Sequence, residues 1–417
     1  MEGIVKGLQA IVGEEGGVRY DWESSFRTKP RSSPLIQICP SKIEEISEIV
    51  KYAEENGLKI FTAYSTFFPS DVDYKNGIIL SFSRFKGLER IEPDSLVAWV
   101  KRGSSFEEIK SELKKYKGLK LLVPLVSSSD SVVENYASRA LLKASNRYPE
   151  LPFATLHLVL SGGRIMKTGE HALSEDMGDN RDDPGPNLSR WFFGSDDYLG
   201  IVYLSCIFLF PEGERGCLVF KTKIEELGGI YKEVCRKELV QEAIGGEGKV
   251  FRKLTKIDFE DGFYVIFGFE GHPDLVKYQM NKVLSLMKGV ERVEDYEKRM
   301  MEELDRNWIA DGIVSYGYLP LSKLTDFYNE ARKFAENIIF SSYSRGGCAG
   351  FCAWNSEDWT RGLVLKLKKE YLMVERYLPL SGGNNGYIKL LKKIKEMMDP
   401  EKIFNPTIYE GLKDVES

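Results

Sequence analysis

The side chains best suited to chemistry in this 417-residue sequence are few and scattered. Its six cysteines are Cys39, Cys206, Cys217, Cys235, Cys348 and Cys352. Thiolates that hold zinc or an iron–sulfur cluster normally come in Cys-x-x-Cys pairs, and no such pair occurs. Only Cys348 and Cys352 lie close together, in a Gly-rich stretch, where they mark a candidate redox or metal pair. The three histidines, His157, His171 and His272, are too widely spaced to form a metal-binding pair. His157 falls in a strand pattern and reads as structural; His272 precedes Pro273 at a helix start. Hydroxyl groups gather at Ser65-Thr66 and at Ser128, Ser129 and Ser131, where they are potential hydrogen-bond donors to an anion.

Composition narrows the class of protein that must position these groups. Hydrophobic residues make up 42% and charged residues 29%, which fits a globular chain of two or three domains. The net charge is −5, with both signs interspersed. Runs such as Lys114-Lys115 and Lys392-Lys393 fall on amphipathic helices, so no basic stripe for nucleic acid stands out. The longest apolar run, Ile201 to Phe210, is bounded by Gly200 and Pro211 and is the length of a strand, not of a membrane span. With no signal-peptide pattern at the N-terminus, the expected location is the cytoplasm, within a membrane-associated complex or free of one.

The chain alternates strands and helices. Ser41-Lys42-Ile43-Glu44 and Ser105-Phe106-Glu107-Glu108 read as capping boxes, each opening a helix with apolar residues at helical spacing. Gly57 closes the first of these helices. Thr155 to Ser161, Gly162-Gly163 and Arg164 to Thr168 form a hairpin, and Asp176 to Ser189 is a polar, Gly- and Pro-containing loop. Beyond Pro211 the pattern changes: a strand at Cys217 to Thr222, a helix at Glu225 to Ala243, a pair of strands at Lys249 to Gly268, and a helix at Pro273 to Lys288. A second set follows, with a strand at Ile313 to Leu319 and a helix at Lys323 to Ile338. Two such units imply an antiparallel sheet covered by helices. An amphipathic helix from Asn384 to Met398 leads into Asp399-Pro400-Glu401-Lys402-Ile403-Phe404-Asn405-Pro406.

Four stretches together resemble the FAD-binding fold shared by vanillyl-alcohol oxidase, p-cresol methylhydroxylase (PCMH), glycolate oxidase and D-lactate dehydrogenase. They are the region from Pro40-Ser41 to Arg102-Gly103; Leu158 to Ile165; Phe193-Gly194-Ser195-Asp196-Asp197-Tyr198-Leu199-Gly200-Ile201-Val202; and Met398 to Pro406. The resemblance implies an α+β protein with a PCMH-type FAD-binding domain of two α+β subdomains at 1–212. It further implies a cap domain with an antiparallel sheet covered by helices at 213–380, and a segment at 381–417 that returns to the first domain. It implies non-covalent FAD, since no histidine matches an attachment motif. Expected cofactor contacts are Ser65, Thr66, Ser131, Asn135, Gly194, Ser195, Gly200, Ile201, Val202 and Asn405. Tyr316, Tyr318, Arg345, Arg376 and Tyr377 fall near the implied substrate pocket; Arg376 is the expected anion-binding group, and Tyr318 a group that handles a proton.

The sequence departs from the family where the pyrophosphate should sit. Glycines there let backbone N–H groups approach the phosphates, because a side chain would fill the phosphates' space. The first loop corresponds to Ala63-Tyr64-Ser65-Thr66-Phe67-Phe68, without glycine. In the second, Ser131-Val132-Val133-Glu134-Asn135, Val133 and Glu134 take the two glycine places, and Glu134 adds a carboxylate where two phosphate charges belong. Tyr148-Pro149 replaces a tyrosine-glycine pair. Three functions therefore stay open. One is an FAD-linked dehydrogenase that oxidises a hydroxy acid or an alcohol or phenol and passes electrons to a partner protein. The second is a flavin-free, non-catalytic paralogue serving as a subunit of a larger redox complex. The third is a protein using the interdomain cleft for another nucleotide or anion. The expected partners are a second flavoprotein, an iron–sulfur subunit or a second copy of the chain, with no nucleic acid and no bound metal.

Overall fold

The computed structural model describes residues 2–13, 17–19, 36–62, 74–148, 152–173, 188–312, 314–355, 372–374 and 385–406. Ser65, Thr66, Arg376 and Tyr377 and most of the Asp176 to Ser189 loop lie outside these residues.

Three main sheets organise the described chain. The first runs in the order Val18–Arg19, Ile36–Ile38, Gly77–Leu80, Lys59–Thr62, and its last three strands are parallel. The helix Ile43–Glu55 crosses over between two of them and buries Ile46, Ile49, Val50 and Ala53, the apolar positions of its 3.6-residue period. Its start differs from the expected capping box: Lys42 is the N-cap, and Ser41 bonds instead to Glu45, through its own N–H (2.6 Å) and its hydroxyl. Gly57 closes the helix with φ +62°, as its position predicts. At Ser105 the expected reciprocal capping box is present: the Glu108 N–H donates to Oγ, and the Ser105 N–H donates to the Glu108 carboxylate.

The second sheet is antiparallel, in the order Leu88–Glu92, Val97–Lys101, Ile201–Phe208, Phe153–Leu160, Arg164–Lys167. Its expected hairpin turns through Gly162 and Gly163, both at positive φ. A side chain at Gly163 would collide with the Ser47 carbonyl, 2.6 Å from a built Cβ, so the turn packs flat on the Ile43–Glu55 helix.

The third sheet is antiparallel throughout and has eight described strands. Their order is Glu291–Arg292, Glu214–Thr222, Phe263–Gly271, Glu242–Glu247, Asn337–Tyr343, Cys348–Trp354, Ser315–Leu319, Leu372–Val374. Helices Ile224–Ile230, Pro273–Leu286 and Leu324–Ala331 pack on one face. The other face meets Leu125, Val126 and Leu141 of the N-terminal half, with helices Gly248–Thr255 and Glu294–Leu304 beside them. Two expected elements are corrected here. The helix anticipated over Glu225 to Ala243 ends by Cys235, and Glu242–Glu247 is an inner strand, because its two glycines lie against Leu227 and Phe251 where a helix would find no room. Lys249 to Gly268 holds one helix and one strand, since Val250, Phe251 and Thr255 recur at helical spacing.

The halves are joined by buried cations. Lys143 is fully buried over the Trp308 ring and donates to the carbonyls of Glu303, Leu304 and Arg306, which end the Glu294–Leu304 helix. Burial pushes its ammonium well below the usual lysine range. Lys120 pairs with Glu270, and Arg215 with Glu242, Glu270 and Asp305. The C-terminal stretch returns to the first sheet: the Ile60 N–H donates to the Ile403 carbonyl and the Asn405 N–H to the Ile60 carbonyl. No described helix is long and apolar enough to cross a membrane.

Candidate functional site

The residues at the expected pyrophosphate position lie where the second sheet meets the short helix Val132–Ala137. That helix forms because Ser131 caps it, its Oγ accepting the Glu134 N–H at 3.2 Å. Val132 and Val133 enter the core as the first apolar turn. Glu134 is 5% exposed, and its carboxylate accepts a hydrogen bond from the Ser129 hydroxyl at 2.9 Å.

Other donors at this helix start are likewise committed to protein. The Val132 N–H donates to the Ser104 carbonyl, the Ser131 N–H to Ser129 Oγ, and the Ser129 N–H to Ser127 Oγ. Ser131 Oγ donates to the Arg102 carbonyl, and the Asn135 amide donates to the carbonyls of Ser129 and Ser131. Ser131 and Asn135, expected as cofactor contacts, have these polar groups turned to protein backbone. The serines reshape the loop without presenting a row of backbone N–H groups.

Facing Glu134 is a buried ion pair that sequence reading did not single out. The Arg102 guanidinium bonds both oxygens of Asp197, at 2.7 and 2.5 Å, donates to the Val202 carbonyl at 2.9 Å and lies over the Phe82 ring. Asp197 also accepts the Val202 N–H. Asp196 and Asp197 hold left-handed backbone, with φ of 47° and 57°. The second acidic residue after Gly194-Ser195 was the available signal, since a carboxylate in a left-handed turn beside a strand needs a cationic partner. The crevice between Arg102, Glu134, Ser138 and Asp197 encloses about 10 Å³. That is room for at most one water, not a pyrophosphate.

Gly194 to Val202 forms the turn that carries this pair. Gly194, at φ +73°, donates its N–H to the Ala137 carbonyl at 2.7 Å and lies against Arg139. Ser195 Oγ donates to the Phe192 carbonyl. A Cβ at Gly200 would stand 2.7 Å from Leu160, and Ile201 and Val202 then pair with Val159 and Leu158. Asn405, at φ +40°, clamps the turn from the C-terminal segment: its amide donates to the Asp196 carbonyl and Thr62 Oγ1, and its oxygen accepts the Thr62 N–H. The structure brings Ser131, Asn135, Gly194, Ser195, Gly200, Ile201, Val202 and Asn405 into one neighbourhood, each bonded or packed to protein.

Tyr318 lies apart from this crevice, on the large sheet. Its ring contacts that of Tyr343 at 4.6 Å, and burial together with the bond to Tyr343 holds its phenol above the usual tyrosine range. Tyr316 donates to the Ser138 carbonyl, tying the sheet to the end of the short helix. Arg345 pairs with Glu238 elsewhere on the surface. Cys348 and Cys352 are i and i+4 of one strand, which separates them by about 13 Å, twice the reach of a disulfide. The candidate pair is therefore not a redox couple. No group of three His, Cys, Asp or Glu side chains among the described residues is arranged for a metal ion.

The first two sheets with their helices, the large antiparallel sheet and the returning C-terminal segment define a PCMH-type FAD-binding fold. Residues 34–169 match the family model described as FAD binding domain, and this match, with the relatives below, supports the PCMH-type FAD-binding superfamily. Over 93% of its length it is 21% identical to D-lactate dehydrogenase of Archaeoglobus fulgidus, of which 94% is covered. Among solved structures it is similar to substrate-bound p-cresol methylhydroxylase (TM-score 0.76, 14% identity, 98% of this chain and 96% of that one). It is also similar to 4-ethylphenol oxidase of Gulosibacter chungangensis in its isoeugenol complex (TM-score 0.76, 14% identity, covering 97% and 96%). A third relative in shape is alkyldihydroxyacetonephosphate synthase (TM-score 0.70, 15% identity, covering 97% and 86%). Set against the cofactor that the family implies, the described residues do not fit a pyrophosphate at the second loop: the space is filled, its donors are committed, and a carboxylate stands in it.

Proposed function

We propose that this chain keeps the FAD-binding fold as a flavin-free, non-catalytic subunit of a larger redox complex, beside a flavoprotein relative or an iron–sulfur subunit. The observation that carries this reading is Glu134, buried and bonded to Ser129 in the segment that the resemblance assigns to the phosphate loop. An anion enters such a site only against the repulsion of that carboxylate and without the backbone N–H groups that offset it in the family. Neither the buried Arg102–Asp197 pair nor the Asn405 clamp depends on a cofactor, so the fold is retained on its own contacts.

A second reading is favoured by the family match that spans both loops and by the full-length similarity to a D-lactate dehydrogenase. In it the chain is an FAD-linked oxidoreductase acting on a hydroxy acid or an alcohol or phenol, with Tyr318 and Arg376 in the pocket. One experiment separates the two. The chain is purified alone, its visible spectrum recorded, and the supernatant assayed for FAD after heat denaturation. A colourless protein that takes up no FAD from excess, and that copurifies with a redox subunit from its source, supports the subunit reading. Near-stoichiometric flavin supports the oxidoreductase.

A further inference from the structure

A cavity of about 390 Å³ opens where the loop after the short helix meets the ends of the inner strands Phe263–Gly271, Glu242–Glu247 and Asn337–Tyr343, within the range of small-ligand pockets. Asn146 and Arg147 line it from the N-terminal half, and Glu238, Gln241, Gln279 and Arg345 from the large-sheet half. Its floor carries an unmet demand. Gln241 is 5% exposed, and its Oε1 is buried without a hydrogen-bond partner. A buried amide oxygen left this way forfeits its hydrogen bonds to water without replacement, and it faces the one donor a ligand could bring.

The neighbouring Asn146 does not meet that demand: its amide donates to the Val240 carbonyl and its oxygen accepts the Ser342 hydroxyl. At the rim, Arg147 reaches only the Glu270 carbonyl, at 3.4 Å, and the face of Tyr148. It has no carboxylate partner among the described residues. Glu238 and Arg345 pair with each other at 3.2 Å in largely exposed positions, and Glu270 is held by Lys120 and Arg215, which leaves Arg147 without a carboxylate partner among the described residues that line the cavity.

We infer that this pocket binds a small carboxylate that also carries an amide N–H, the chemistry of an N-acylated amino acid. The carboxylate pairs with the Arg147 guanidinium, and the amide N–H donates to Gln241 Oε1. A secondary amide suits this floor because its N–H is a single directed donor for the one unpartnered acceptor, Gln241 Oε1. The inference does not rest on the flavin reading, since neither residue assigned to the ligand, Arg147 or Gln241, belongs to the two phosphate loops.

The test is calorimetry of the full chain with N-acetylglycine and with N-acetylsarcosine, which differ only in the amide N–H. N-Acetylglycine is expected to saturate the protein, with N-acetylsarcosine about tenfold weaker for the lost hydrogen bond. Arg147→Met weakens both ligands about tenfold. Gln241→Leu removes the discrimination between them; if that variant melts early, the near-isosteric Gln241→Glu takes its place and abolishes binding through charge repulsion. The inference is overturned if N-acetylglycine fails to saturate at about 10 mM, well above a millimolar dissociation constant. Equal affinity for the two ligands, or an Arg147→Met variant that binds like the parent, overturns it as well.

Discussion

Replacing Glu134 by glutamine keeps the shape of the side chain and its ability to accept the Ser129 hydroxyl, and removes only the charge. If the carboxylate stands about 4 Å from one phosphate charge, Coulomb's law at an effective dielectric of about 20 gives roughly 4 kcal/mol of repulsion. Part of that is relieved by solvent and by the Arg102 guanidinium opposite, so about 1.5–3 kcal/mol is expected, a gain of roughly ten- to a hundredfold in FAD affinity. The double change Val133→Gly and Glu134→Gly also restores backbone approach and adds one or two charge-assisted bonds, for a further tenfold or more. It has a price in stability. Val133 is 1% exposed, and deleting its side chain costs about 2 kcal/mol, with about 1 kcal/mol more for each glycine in the helix. Equilibrium dialysis against FAD, with a thermal melt of each variant, reads both quantities. Stoichiometric FAD in the parent, or a glutamine variant whose affinity is unchanged, would refute the argument that this carboxylate closes the site.

Three other perturbations test the packing described above. Arg102→Met leaves Asp197 buried without its cation and should destabilise the chain by about 3–5 kcal/mol in denaturant melts, whereas changing both partners to apolar residues of similar size should cost much less. Lys395→Met should act similarly: the ammonium is fully buried, pairs with Asp399 at 2.6 Å and donates to the Tyr198 and Phe404 carbonyls, and a loss below 1 kcal/mol would show that the C-terminal segment is held by other contacts. His157, stacked on Trp99 and His171, is pushed by burial from 6.5 down to about 3. Because the folded value lies below the unfolded one, the unfolded chain takes up the proton first, and stability present above pH 6.5 falls as pH drops towards 3, by up to about 4 kcal/mol. His157→Phe should flatten that slope, and an unchanged slope would assign the acid sensitivity to other groups.

Much of the architecture was legible in the sequence because it rests on local rules. The Ser105 capping box, the left-handed Gly57 and the Gly162-Gly163 hairpin each follow from a few adjacent residues and a backbone geometry that only those residues adopt readily. The substitutions at Val133 and Glu134 were equally plain, since a missing glycine can be read at a single position. The inner strand Glu242–Glu247 was not legible. Its glycines deny it a strand's usual β-branched signal, and it is a strand only because Phe263–Gly271 and Asn337–Tyr343 bond it on both sides. The Arg102–Asp197 pair joins residues far apart in the chain, and no local pattern records which cation a buried carboxylate will find. The orientation of Asn405, turned to Thr62 and the Asp196 turn, is likewise a property of three segments meeting. The sequence by itself determined the elements that rest on local signals, and it carries no glycine where the resemblance expects the phosphate loops. Tertiary structure alone decided what fills that space, because a side chain's partner across the fold is fixed by packing and charge compensation among distant segments.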